Sequence, residues 1–146
     1  MTTTTTSQPA TEATAAAADD LQVIRTPPTY EDARLILRQH EVDAISGANY
    51  GFGHLRAFDA PPTLAQLRRK HPQGSEEYAE VMAFLGSCEV TGTFVRQGIL
   101  NEGLVQDLYW IAGAWASIEK IVRGIRKESG EPRMFENTEW LVRRAT

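Results

Sequence analysis

One stretch constrains the fold more than any other. From Leu104 to Ile125 the large apolar residues fall at Leu104, Leu108, Ile111, Trp115, Ile118, Val122 and Ile125. The steps alternate four and three, which is the repeat of a helix with one continuous apolar seam. A second stretch just upstream repeats it: Tyr78, Val81, Leu85, Cys88, Gly92 and Val95. The turn between them contains Gly98, at the place of a left-handed helix end, and Asn101, at the place of a helix cap.

A connection this short makes two helices antiparallel neighbours. Folded about the turn, Val95 lies near Leu104, Gly92 near Leu108, Cys88 near Ile111, Leu85 near Trp115, Val81 near Ile118 and Tyr78 near Val122. Charge fits the same register, since Glu76, Glu77 and Glu80 then lie beside Lys120, Arg123 and Arg126. The expected spine is therefore a coiled-coil-like hairpin of about 75–97 and 102–129, terminated by Gly130 and Pro132.

Other segments read as shorter helices. Thr29 caps a first helix of about 29–40, with Glu31 and Asp32 in its first turn. Val42, Ile45, Ala48, Phe52, Leu55 and Phe58 keep a helical period and give a second helix, about 41–57. Gly47, Gly51 and Gly53 make a broken helix or loop the alternative there. Pro61-Pro62 ends that segment, Thr63 caps a third helix over about 63–70, and Ser75 opens the fourth. A last helix spans about 133–144, with Met134, Trp140 and Leu141 on its apolar face. The expected fold is all-α, a bundle of five to six helices in a single domain over 27–146. Residues 1–26 are Thr- and Ala-rich without periodic apolar positions and read as a disordered tail.

The hairpin and its sequel resemble a bacterial domain of unknown function, number 4760 in that series. The likeness is carried by Phe94-Val95-Arg96-Gln97-Gly98-Ile99-Leu100-Asn101-Glu102-Gly103-Leu104-Val105-Gln106-Asp107 and by Pro132-Arg133-Met134-Phe135-Glu136-Asn137-Thr138-Glu139-Trp140-Leu141. It covers about residues 75–142. The resemblance implies an all-helical fold and no assigned chemistry, and no catalytic residue is carried over from it.

The residues themselves argue against several functions. The 146-residue chain carries a net charge of −4, without the basic excess of a nucleic-acid binder. A basic stretch formed by Lys120, Arg123, Arg126, Lys127, Arg143 and Arg144 keeps nucleic-acid binding as a remote alternative. No apolar run reaches spanning length, and the start lacks the basic and apolar regions of a signal peptide. With a single cysteine, Cys88, a cytoplasmic location is expected. His40, His54 and His71 form no metal-ligand spacing, so neither metal nor cofactor is expected. Cys88 sits on an apolar seam, where packing is the simpler role than catalysis. The Gly47–Gly53 stretch lacks the ending of a phosphate loop and reads as a helix kink or close crossing.

Two candidate sites remain. Trp110 lies off the main seam, where it would pack a second layer or, alternatively, form a subunit interface; Trp140 would dock the last helix or join the same patch. Tyr50, His54, Asp107 and Tyr109 are the polar candidates for a ligand pocket between helix 2 and the hairpin. The preferred function is a non-enzymatic interaction or structural module, with an unknown protein or a second copy as partner. A small-molecule binder or enzyme is the alternative.

Overall fold

A computed structural model describes residues 26–145. Among them are seven α-helices and no strand: α1 (Tyr30–Ser46), α2 (Ala48–Arg56), α3 (Leu64–Lys70), α4 (Glu76–Arg96), α5 (Glu102–Leu108), α6 (Ile111–Ser129) and α7 (Glu136–Ala145). The expected tail lies outside the described residues except for Thr26. No described helix is long and apolar enough to cross a membrane.

Most helix starts follow side-chain chemistry. Thr29 accepts from Asp32 N, while the Asp32 carboxylate takes the Thr29 N–H at 2.7 Å. The same carboxylate accepts from Asn101 N at 2.8 Å, tying the start of α1 to the start of α5. These bonds, led by the Thr29 N–H, hold the Asp32 carboxyl below its usual range despite burial. Thr63, Ser75 and Asn101 cap α3, α4 and α5 in the same way. Gly98 and Gly130, at φ 71° and 70°, supply left-handed turns after α4 and α6.

Two boundaries differ from expectation. The break between the first two helices lies at Gly47, not near residue 40. Gly47 adopts φ 78°, a conformation with little cost only for glycine, and a Cβ there would meet the Glu80 side chain. The expected helix over 102–129 is in fact two. Tyr109 is extended, at φ −117° and ψ 139°, and Trp110 sits at φ −80° and ψ 74°. Neither glycine nor proline marks this break. It turns Tyr109 toward α1, where its hydroxyl lies 2.8 Å from His40 Nε2. The helix count therefore rises from the expected five or six to seven among the described residues.

The hairpin register is corrected as well. The two seams face the interior at Val81, Leu85, Gly92, Val95, Ile111, Ile118 and Val122, which are all buried, but not at Leu108, which is 55% exposed where the helix breaks. Their neighbours are different. α4 approaches α2 and α7 most closely, and α6 approaches α3, α7 and α2; α4 and α6 are not a closely approaching pair. They meet only as contributors to a core of Leu55, Leu64, Leu67, Val81, Leu85, Ile118, Ile121 and Val122. The charges follow this arrangement. Glu80 pairs with His54, Arg126 with Glu139 and Arg123 with Glu119 of its own helix, in place of the expected cross-hairpin bridges.

Close approach is made possible by missing side chains. A Cβ on Gly51 would collide with the backbone of Glu80, so α2 crosses α4 at that glycine. A Cβ on Gly92 would stand 2.6 Å from the Asn137 carbonyl group, so α7 begins against α4 there. A second buried cluster, Ile36, Val95, Leu100, Val105, Ile111 and Leu141, joins α1, α4, α5, α6 and α7.

Candidate functional site

Ala48 and Asn49, which follow the break at Gly47, and Tyr109 and Trp110, which make the second break, line one half-open cavity of about 300 Å³. Its walls come from α1, α2, α4, α7 and the α5–α6 joint. Hydrocarbon dominates the lining. Phe52 and Phe84 pack with ring centroids 5.2 Å apart, and Ala48, Ile111, Ala114 and Leu141 add aliphatic surface.

Five polar side chains of the cavity are paired with one another. Gln39 Nε2 donates to Asp43 Oδ1 at 2.8 Å, one turn along α1. From α4, Ser87 Oγ donates to Asp43 Oδ2 at 2.9 Å. His40 and Tyr109 close the rim through their 2.8 Å contact, rings edge to face. Burial, with the Asp43 charge adding to it, raises the Tyr109 hydroxyl pKa. The same two causes push the Cys88 thiol up to about 12. Cys88 is thus a neutral thiol at physiological pH, unsuited to nucleophilic attack.

Trp110 stands on this rim and is 76% exposed, which corrects the expectation that it packs a second layer. One face of its indole rests on Gly113, where a Cβ would collide with the ring. Leu108, 55% exposed, lies just before the same joint. Trp140 behaves differently. It packs on the second cluster, with the Arg144 guanidinium 4.9 Å and that of Arg96 5.8 Å from its ring. It docks α7 onto the domain.

Of the four expected pocket residues, only Tyr109 lines this cavity. Tyr50 is exposed on α2, and Asp107 is exposed on α5. His54 belongs to a separate cluster, 2.6 Å from Glu80 and with its ring 5.3 Å from that of His71. Burial, then the His54 charge, lowers the His71 pKa. Gln39, His40, Asp43 and Ser87 were not singled out as pocket residues from the sequence. Gln39 and Asp43 share a helix face at a spacing of four, but only folding brings Ser87 to them.

Several other features weighed in the sequence have structural roles. Gly47 and Gly51 make the kink and the close crossing. Among the basic residues, Arg126 bonds Met134 O and Glu139, Arg143 bonds Glu139, and Arg144 bonds Glu102 in a buried pair. The described residues contain no group of three or more His, Cys, Asp or Glu side chains placed to hold a metal.

The profile of one protein family, a domain of unknown function (DUF4760), matches residues 9–145. No curated protein and no solved structure matches the chain.

Proposed function

The chain belongs to the DUF4760 family, and we propose that it is a non-enzymatic interaction module that recognises an apolar side chain through the cavity at the α5–α6 joint. The observation that carries this reading is Trp110, three-quarters exposed on the rim of a hydrocarbon-lined hollow. Tryptophan is enriched where partners bury it, and exposing an indole to water is unfavourable without a partner. The paired state of Asp43, Ser87 and Gln39 and the neutral Cys88 also favour binding over chemistry.

A knob and a hole side by side on one face are what an isologous dimer needs, since each copy can insert its knob in the other's hole. A second copy of the chain is therefore the partner to test. Sedimentation velocity over a wide concentration range should show a dimer for the native chain and a monomer for Trp110→Ala, with unchanged circular dichroism. A native chain that stays monomeric at the highest concentration removes self-association.

The cavity volume, at the lower end of the range of ligand pockets, also supports a second reading, a small apolar ligand. Saturable binding of an apolar dye by the monomer, abolished by Ala114→Trp, would favour that reading instead.

A further inference from the structure

We propose that a second hollow, beside the end of α3, binds the phosphate group of a small phosphorylated molecule. The hollow measures about 480 Å³ and is formed by the α2–α3 connection, α3 and the middle of α6. Three cations line it: Arg69 and Lys70 from the last turn of α3, and Lys120 from α6. Asp59 is the one acid in the lining. Three positive charges against one give a local excess of two, in a chain whose net charge is −4.

Several of the protein's other bases are paired with acids. Arg68 pairs with Glu128, Arg123 with Glu119, Arg126 with Glu139 and Arg144 with Glu102. Among the described residues, no acid forms an ion pair with Arg69, Lys70 or Lys120. Lys70 is nevertheless held in place: its ammonium lies 4.5 Å from the centre of the Phe58 ring and donates to Ala57 O at 3.3 Å. A positioned cation without a counter-charge is a preorganised half of an ion pair.

The remaining lining suits an oxyanion with an organic body. Gln66 spends its side-chain oxygen on Thr63 N, which leaves the amide N–H₂ as a donor beside the three cations. Phe58 and Pro61 supply apolar surface. The volume exceeds that of a phosphate group several-fold and lies within the range of small-molecule sites.

Titration of the isotope-labelled full chain with inorganic phosphate and with pyrophosphate, followed by NMR at constant ionic strength, tests the assignment. Saturable shifts are expected at Gln66, Arg69, Lys70 and Lys120, with pyrophosphate binding more tightly. Lys120→Gln and Arg69→Gln should each weaken pyrophosphate by about tenfold, the effect of one lost charge-assisted contact. Arg38→Gln, on exposed α1, should change nothing. The proposal is overturned by shifts that do not saturate, or by Lys120→Gln binding as the native chain does. It is equally overturned if a single-stranded oligonucleotide binds more tightly than pyrophosphate and shifts Arg123, Lys127 and Arg143 rather than the hollow.

Discussion

α7 and the α5–α6 joint both sit on the same core, yet they are held by opposite means. At its start α7 lies on Gly92, and the Glu89 carboxylate of α4 accepts from Asn137 N, Asn137 Nδ2, Thr138 N and Thr138 Oγ1. One carboxylate thereby satisfies helix N–H groups that no residue preceding α7 caps. At the other end Arg144 forms a buried two-bond pair with Glu102, at 2.8 and 3.0 Å. The joint has no such fixing. Its contact with α1 is the His40–Tyr109 hydrogen bond on an exposed rim, and it leaves Leu108 and Trp110 in water. Order is concentrated where a helix must be held against its neighbours. Apolar surface is left open where the chain changes direction.

The largest effect should come from breaking the anchored end. Arg144→Met leaves the Glu102 carboxylate buried without its principal partner, and loss of one member of a buried pair costs about 3–5 kcal/mol. That is a large part of the stability of a domain this size. Urea denaturation should show it directly. The double variant Arg144→Met with Glu102→Met should recover most of the loss, since replacing both charges removes the uncompensated buried carboxylate charge. If the single variant costs no more than a surface change, α7 is not held by this pair.

Gly92→Ala tests the other end. In an exposed helix this change gains up to about 1 kcal/mol through propensity. Here the new methyl meets the Asn137 backbone and the Thr138 N, atoms that cannot rotate away. A net loss of about 1–3 kcal/mol is expected, as for overpacked cores. Denaturation midpoints of the two chains measure it.

This contrast also explains what could be read in the sequence. Caps at Thr29, Thr63, Ser75 and Asn101 and the turns at Gly98 and Gly130 are local chemistry, and the structure has them at those positions. Periodicity reports which face of a helix is buried, and the seam residues Val81, Leu85, Ile118 and Val122 are indeed inside. It does not report what lies opposite. Gly92 could be placed on the seam but not matched to Asn137, 45 positions on. The split at Tyr109–Trp110 has no breaking residue, and the contact that accompanies it, the hydrogen bond to His40, is 69 positions away. Of the expected pocket residues, Tyr109 alone lines the cavity, and it does so from the break itself. The remaining polar groups are assembled by α1 meeting α4.

The smallest effect is the most discriminating. Gly113→Ala is the same substitution as at Gly92, again inside a helix, and again places a methyl against occupied space. The obstacle differs: at 113 it is the Trp110 ring, the end of an exposed side chain. Rotating that ring away is cheap, so the propensity gain should survive. Stability should be unchanged or rise by up to about 1 kcal/mol. The indole N–H resonance of Trp110 should move while those of Trp115 and Trp140 stay. A cost equal to that at Gly92 would mean that the indole is a fixed prop of the joint. Trp110 would then be part of the frame, and its exposure would no longer mark a surface held ready for a partner.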